Sequence, residues 1–478
     1  MSEKSARTKL VRSLQGGVSR RDVLKMLGVS AFGTVLASCA PKSTPTSAPA
    51  SPTEKPTSPP SPTEAPTDAP APTEAPAGPT GEVKYMFLGD IMDVYEEYAG
   101  KFQEANPELT VTIDSLPFAD FETKIRTMFA AKNPPDVFWL YFNNIFEFVD
   151  NDILLPLDEF IARDNFPIED FAKANVDMFT VDGHIYGIPR ESSTLVLFWS
   201  EKAFADAGIE PPDDSWDWEG KFLEAAKKLT VESDDPTQRR FGFNAPVGAG
   251  NNWAAMPIVW SFGGDIVSAD KTRATVNDPA TIQGYQWLAD LINVHKVAPS
   301  AGSLAGQSIG EMFLNGQIGM YVSGKWDVQV LRDTMAELGI ETAFDVAPFP
   351  TGPAGRMTRT SGAAYAIPKD AENPEGAWEL IKWWASYDVV EKLALTGGMF
   401  PAYLPVLNSD SFIQPGQPPE HAQVFVDSLE FARPEAVFGG YSELTNLVEA
   451  GMDPVYAGDQ TAEEALNEVQ RKAESLFS

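Results

Sequence analysis

The chain predicts an α/β protein of two lobes, with parallel-dominated sheets flanked by helices. Predicted strands and helices alternate from residue 81 onward, a pattern typical of parallel sheets that helices cover on both faces. At 478 residues the chain is too long for a single compact core. Because the alternation passes residue 190 without a linker-like break, two lobes joined by more than one crossover are favoured over two separate domains.

The alternation begins with a strand that runs into a Gly-Asp loop. The helix after it ends at Asn106-Pro107, and the third strand, DVFWLYF, is apolar on both faces, as expected of a strand buried between two layers. In chain order the predicted strand, helix, strand, helix and strand lie at residues 81–90, 94–107, 109–117, 118–135 and 136–142.

The alternation continues to the C-terminus. We expect Ser215 to begin one helix, and Asp278 to cap another with Pro279 in its first turn. Strands are predicted at 184–189, 194–200, 344–350 and 362–368, a helix–turn–strand–loop–helix unit at 308–328, and helices at 215–230, 278–295 and 373–386, with two more helices before the end of the chain.

The N-terminus has the layout of an export signal. Arg20 and Arg21 precede an uncharged stretch at 26–38, which is too short to span the ~30 Å core of a membrane. The sequence LASC ending at Cys39 resembles the lipobox of bacterial lipoproteins, although Val23 stands where twin-arginine signals commonly have phenylalanine. We therefore expect residues 1–38 to be a twin-arginine-type lipoprotein signal peptide, and Cys39 to be acylated.

Residues 39–80 are predicted to form a disordered stalk behind the lipidated cysteine. The repeated SPTEKPT, SPTEAPT and APTEAPA segments bury too little apolar surface to offset the entropy of an ordered chain, and they favour extended polyproline II. Fully extended, the stalk reaches about 120 Å. It would hold a folded domain clear of a membrane surface.

Composition excludes several kinds of site and partner. A single cysteine rules out an internal disulfide, and His184, His295 and His421 have no metal-ligand spacing. We expect no cofactor and no metal ion. A net charge of −32 argues against nucleic acid and against a membrane contact other than the lipid anchor. The acidic residues belong either to solvated faces or to a pocket for cationic or polyhydroxyl ligands.

Five ordered fragments carry a family resemblance. They are GIPRESSTLVLFWSEKAFADAGIEPP, SWDWEGKFLEAAKKLT, FLNGQIGMYVSGKW, DVAPFPTGPAGR and TSGAAYAIPKDAENPEGAWELIKWWAS. In this order the chain resembles the carbohydrate-binding class of bacterial extracellular solute-binding proteins, which includes maltose-binding protein. The resemblance implies a type II-like periplasmic-binding-protein fold with hinge crossovers. Lobe 1 would hold residues 81–193 and about 366–404, and lobe 2 about 194–365 and 405–478.

The resemblance also implies a function. The chain would be the substrate-binding component of an ABC importer, a monomer without catalysis. It would bind a mono- or oligosaccharide between its lobes and deliver it to membrane permease subunits by hinge closure. It would be exported and lipid-anchored to the outer face of the cytoplasmic membrane. A surface glycan-binding or sensory receptor without transport is an alternative, as is a glycoside hydrolase, which needs two carboxylates about 5 to 9.5 Å apart.

Candidate ligand contacts follow from the chemistry of sugars, which aromatic faces and a few polar groups hold. The family positions correspond to Phe87, Asp90, Trp139, Tyr141, Asn143, Glu191, Ser193, Trp253, Trp260, Gly324, Trp326, Gly362 and Ala363. The segment 141–143 replaces an acidic residue of the family, which argues against a maltodextrin. Neutral sugars are expected over phosphorylated ones, unless Arg190 reverses that preference. Six other tryptophans are predicted to be packing residues: Trp216, Trp218, Trp287, Trp378, Trp383 and Trp384.

Overall fold

The computed structural model describes residues 78–89, 92–235, 238–248, 250–300, 304, 308–340, 344–396 and 399–477, apart from the side chains of residues 118 and 119. All of them belong to one compact unit, Glu74–Ser478. The predicted signal peptide, Cys39, nearly all of the stalk and Asp90 lie outside the described residues.

The described residues form thirteen strands, β1 to β13 in chain order: Gly81–Leu88, Leu109–Leu116, Val137–Tyr141, Thr180–Val181, His184–Ile185, Ile188–Glu191, Val196–Ser200, Phe241–Asn244, Ile318–Ser323, Phe344–Ala347, Thr358–Arg359, Ala363–Ala366 and Ala432–Arg433. β2, β1, β3, β12 and β6 make a five-stranded sheet in that order, and β10, β7, β9 and β8 make a four-stranded sheet. Each sheet is the centre of one lobe.

The helices of the described part are α1 to α18 in chain order: Met92–Ala105, Phe118–Ala130, Ile145–Asp150, Asp158–Asp164, Lys173–Met178, Glu201–Ala207, Leu223–Leu229, Asn252–Ser261, Pro279–Asn293, Ile309–Leu314, Trp326–Leu338, Pro374–Trp384, Tyr387–Leu395, Leu404–Leu407, Asp410–Ile413, Gln423–Asp427, Tyr441–Ala457 and Ala462–Ala473. A single π-helical turn, Trp218–Phe222, precedes α7. In the part of the chain that can be described, no helix is long and apolar enough to cross a membrane.

The two-lobed α/β class is confirmed, but the sheets are mixed rather than dominated by parallel pairs. β1 runs parallel to β2 and β3, whereas β12 runs antiparallel to β3 and β6, and β7 runs antiparallel to β9 and β10. The reason lies in the crossovers. All four antiparallel pairs of the two sheets involve β7 or β12, the strands by which the chain enters each sheet from the other lobe. A βαβ unit imposes a parallel direction only on strands that it joins within one sheet, so it does not constrain these two strands.

Hydroxyl groups hold the crossovers together. Ser193 Oγ lies 2.6 Å from Ser361 Oγ, and Thr358 Oγ1 donates to the Leu195 carbonyl at 2.7 Å. Thr194 Oγ1 donates to the carbonyl of Phe425 at 2.7 Å. Because these hydroxyls are buried, each hydrogen bond also satisfies a polar group that would otherwise be costly. Three chain segments therefore meet at one polar seam between the sheets.

Local capping differs from the sequence prediction at one helix. Ser215 does not begin the helix; the Asp217 carboxylate accepts from Gly220 N and Lys221 N at 2.9 and 3.0 Å and caps the π-helical turn. An N-cap acceptor must lie about three residues before the amide it binds, so Asp217 reaches Gly220 N whereas Ser215, five residues before it, does not. At α9 the predicted boundary holds, with Pro279 as its first residue.

Most of the tryptophans assigned to packing are in the core. Trp218, Trp378 and Trp384 have no exposed surface, Trp216 and Trp287 are buried, and Trp383 is partly buried.

Candidate functional site

A cavity of about 940 Å³ lies where the two sheets meet the crossovers. The carboxyl ends of β1 and β3 contribute Gly89, Trp139 and Tyr141, and the crossovers contribute Ser193 and Ser361. Ligand sites in open α/β sheets form outside the carboxyl ends of strands. The topology therefore places polar and aromatic side chains from distant parts of the chain around one volume.

Eight of the predicted contact residues line this cavity: Trp139, Tyr141, Asn143, Glu191, Ser193, Trp253, Trp326 and Gly362. Whether they bind a ligand stays a prediction, but the structure does bring them together. They come from the five-stranded sheet, from the crossovers and from two helices of the other lobe, as an interlobe site requires.

Two aromatic residues of β3 form the first wall. The rings of Trp139 and Tyr141 are stacked, with their centroids 5.3 Å apart and 11° between their planes. Phe121 meets Trp139 edge-on at 5.5 Å. Since Trp139 is only 2% exposed, the half-buried Tyr141 offers more of the pair's surface to the cavity. The stack orients the tyrosine ring.

Two tryptophans from the other lobe form the second wall. Trp253 of α8 meets Trp326 of α11 at 5.9 Å with 60° between the rings, and Trp326 is 37% exposed. A Cβ on Gly324 would lie 2.2 Å from the Trp326 ring, so only glycine permits this ring position. Gly324 is outside the cavity wall, contrary to the expectation of direct contact, and instead makes room for Trp326.

Three other predicted contacts are also placed elsewhere. Phe87 has no exposed surface and stacks on Tyr95 at 3.8 Å, because it points to the helix-covered face of β1. Trp260 is 2% exposed in the interior of α8, with the Arg433 guanidinium 4.1 Å from its ring centroid. Ala363 has no exposed surface in the central strand β12. As positioned, none of them offers a surface to a ligand.

Glu191 is held in the cavity wall by two donors. Trp139 Nε1 donates to its Oε1 at 2.9 Å, and Arg190 Nη1 forms an ion pair with its Oε2. Behind them, Arg190 Nη2 donates to the Tyr95 hydroxyl at 2.6 Å. Arg190 is thus committed to Glu191 and Tyr95, and its charge is balanced within the wall.

A second buried ion pair lines the cavity and was not predicted from the sequence. Arg359 Nη2 lies 3.1 Å from Glu435 Oε2, and both side chains are 4% exposed. The guanidinium lies 5.7 Å from the ring centroid of Phe142 and 5.5 Å from that of Trp253, so it joins aromatic residues of both lobes. Burial raises the pKa of Tyr441 well above its usual value, so this phenol keeps its proton beside Glu435.

The first turns of α17 were also missed. Tyr441, Ser442, Thr445, Asn446 and Glu449 all line the cavity at helical spacing. Glu449 is tied to the start of α8, because its carboxylate accepts from Gly250 N at 2.7 Å and Asn252 N at 3.1 Å. The signal in the sequence is GGYSELTN, a pair of glycines followed by hydroxyl and amide side chains at a helix start.

Two buried polar atoms of the wall have no hydrogen-bond partner among the described residues. These are Asn143 Oδ1, an acceptor, and Arg359 Nε, a donor. Buried polar groups are normally paired, so these two atoms each lack a hydrogen bond that the described residues do not supply. Within the described part of the chain, no group of His, Cys, Asp and Glu has the arrangement of a metal site.

Comparison with known proteins agrees with this geometry. The maltotriose-binding protein of Pyrococcus abyssi is 26% identical over 366 residues, 73% of each chain, and an arabinooligosaccharide-binding protein of Halalkalibacterium halodurans is 20% identical over 64% of this chain and 67% of its own.

Two solved structures share the fold. An ABC substrate-binding protein from Listeria monocytogenes, in complex with cycloalternan, has a TM-score of 0.74 at 24% identity, covering 83% of this chain and 99% of its own. UgpB from Mycobacterium tuberculosis, in complex with glycerophosphocholine, has a TM-score of 0.71 at 20% identity, covering 83% and 98%. The model of the family described as bacterial extracellular solute-binding protein matches residues 88–391. The chain belongs to the family of bacterial extracellular solute-binding proteins.

Proposed function

We propose that this chain is the solute-binding component of an ABC importer and that its cavity takes a neutral oligosaccharide. The observation that carries the proposal is the pairing of two aromatic walls, Trp139–Tyr141 and Trp253–Trp326, around one cavity that polar groups also line. Flat apolar sugar faces pack on such rings while their hydroxyls bond to groups at the edges. Asn143 Oδ1 and Arg359 Nε supply an acceptor and a donor for those hydroxyls.

The size of the cavity favours more than one sugar ring. Its volume of about 940 Å³ is near the upper end of the roughly 300–1,000 Å³ range of small-molecule sites. Relatives named for maltotriose, lactose and arabinooligosaccharides support the same class of ligand. The departure at 141–143 leaves the identity of the sugar units to experiment.

The charges of the cavity favour a neutral ligand. Both arginines in the wall, Arg190 and Arg359, are ion-paired with glutamates. A phosphorylated sugar would have to compete with Glu191 or Glu435 for a guanidinium, which would leave a buried carboxylate unpaired. The same pairing argues against hydrolysis, since a glycosidase needs one protonated carboxyl as general acid.

Ligand-driven hinge closure is the proposed mechanism. The two walls belong to different lobes, so a sugar that contacts both walls stabilises the closed arrangement. Permease subunits would then bind the closed form of a monomer held at the outer face of the cytoplasmic membrane by acylated Cys39. The lobe boundaries at about 193–194, 365–366 and 404–405 are part of this proposal.

A binding screen tests the function. A chain beginning at Gly78 is titrated with neutral oligosaccharides, phosphorylated sugars and monosaccharides, with tryptophan fluorescence and calorimetry as readouts. We expect micromolar or tighter binding of one oligosaccharide class, without cleavage products. Tyr141→Ala and Trp326→Ala should each weaken it at least tenfold, whereas Tyr387→Ala, at an exposed tyrosine outside the cavity, should not. Binding only of phosphorylated sugars, or cleavage of the ligand, would refute the proposal.

A further inference from the structure

Lys325 is a buried cation that has no ion-pair partner among the described residues. It directly precedes α11 and is 1% exposed. Its Nζ lies 5.0 Å from the ring centroid of Phe412 and has no hydrogen-bond partner among the described residues. An ammonium removed from water without a partner costs several kcal/mol, so proteins pair such charges. The ring contact replaces only part of the lost hydration.

A second unpaired donor lies on the same face of α11. Arg332 follows Lys325 by seven residues, two turns of helix. Its Nε donates to the Pro418 carbonyl at 2.7 Å and its Nη1 to Gln414 Oε1, but Nη2 is buried without a partner among the described residues. Lys325 and Arg332 therefore both contact the segment 412–418, and each has one nitrogen left unbonded there.

Neighbouring carboxylates do not balance these charges. Asp327 accepts from the Tyr321 hydroxyl at 3.1 Å, and Asp333 is exposed and accepts from Gln329 at 2.8 Å. Burial and, to a lesser extent, the charge of Arg332 together lower the pKa of Lys325 to about 8, with no described carboxylate opposing either effect. At pH 7 the amine still carries its proton. Two like charges thus share a buried region of a chain whose net charge is −32.

We propose that a small monovalent anion of the halide type binds between Lys325 Nζ and Arg332 Nη2, against the segment 412–418. Such an ion requires hydrogen-bond donors that carry positive charge, and Lys325 and Arg332 each offer one unbonded nitrogen. The positive N-terminal end of α11 and the surrounding apolar side chains also favour a small anion. Phe412, Val328 and Leu331 belong to the same apolar cluster. A small ion with weak hydration fits these surroundings better than phosphate, which needs more donors than the two that are available.

The proposed site lies directly behind the cavity wall but does not depend on what the cavity binds. Trp326, the residue after Lys325, lines the cavity, and Phe412 packs against the cavity residue Phe400 with ring centroids 4.9 Å apart. Occupancy would fix α11 against 412–418. Binding of the anion would thereby restrict the motion of Trp326 and Phe400, two side chains of the cavity wall.

The test compares melting of the full-length chain at pH 7 in sodium chloride and in sodium gluconate at equal ionic strength. We expect Tm to rise with chloride along a saturating curve, by about 2 to 4 °C. Lys325→Met should lose this response, and in gluconate it should melt above the unchanged chain because the unpaired charge is gone. Lys202→Met, which breaks an exposed pair with Asp206, should keep the response.

Two results would overturn the proposal. One is an equal Tm of the unchanged chain in both salts; the other is a chloride response that persists in Lys325→Met, which would indicate a general salt effect. Should Lys325→Met not fold, crystals of the unchanged chain soaked in bromide give an independent answer. An anomalous peak next to Lys325 Nζ is expected, and its absence would count against the site.

Discussion

Removing the charge of Glu435 should destabilise the protein strongly. In Glu435→Gln the Arg359 guanidinium keeps its burial but loses its only ion pair among the described residues. Its remaining neighbours are the Tyr141 hydroxyl at 3.4 Å and two aromatic rings at 5.5 and 5.7 Å. These groups are neutral and cannot replace a carboxylate.

The magnitude follows from the burial of both partners. With each side chain 4% exposed, solvent cannot screen the unpaired guanidinium. Breaking a buried pair from one side costs about 3–5 kcal/mol, whereas replacing both partners by apolar residues of similar volume is near neutral. We therefore expect Glu435→Gln to lower the free energy of unfolding by about 3–5 kcal/mol, and the double variant Arg359→Met/Glu435→Leu to recover most of that loss.

Urea unfolding followed by circular dichroism measures both variants. Asp206→Asn provides the matched control, because the pair it breaks with Lys202 is half exposed and should change stability by less than about 1 kcal/mol. A loss below about 1 kcal/mol in Glu435→Gln would show that water reaches Arg359, and the reasoning from burial would be wrong. A double variant no better than the single one would assign the loss to packing instead.

Three further outcomes are expected. Gly324→Ala should displace the Trp326 ring and weaken ligand binding severalfold in calorimetry, with little change in Tm; unchanged affinity would contradict the role assigned to that glycine. Gly362→Ala should lower both Tm and affinity, because its Cβ would lie 2.2 Å from a backbone carbonyl of the first crossover; a fully stable variant would disprove this close approach. The hydrogen bond with Asp345 raises the pKa of His421, so the stability it adds is complete below pH 6.5 and is lost as pH rises through the raised value. His421→Gln should therefore differ from the unchanged chain at pH 6 and converge with it at pH 9, as urea unfolding at each pH would measure.

Local patterns in the sequence predicted the elements well where one physical rule dominated. The apolar run DVFWLYF became β3 because both of its faces are covered, and Asn373 and Pro374 begin α12 as the sequence indicated. Phe87 shows the limit. In β1 alternate residues face opposite layers, and the sequence alone does not say which layer is the closed one. Its contact with Tyr95 depends on where α1 packs.

The site residues that the sequence did not predict come together only when distant parts of the chain fold against each other. Arg359 and Glu435 are 76 residues apart, and neither has a local pattern that indicates a partner. Gly250 and Glu449 meet across 199 residues. By contrast, Trp253 and Trp326 are among the contacts that the family resemblance implies, and both line the cavity. The sequence predicted the rings of the site, while its ionic groups required the fold.

α17 presents one face to the cavity and the other to the core of its lobe. The residues at 441, 442, 445, 446 and 449 border the cavity, whereas Leu444, Val448, Met452 and Val455 are fully or almost fully enclosed by the lobe. We expect substitutions at Ser442, Thr445 and Asn446 to alter ligand preference and to leave the apolar stripe intact, whereas Tyr441 is enclosed and Glu449 accepts hydrogen bonds from backbone amides. The ligand specificity of such a protein can therefore evolve through a few substitutions in one helix, without loss of the packing that stabilises the lobe.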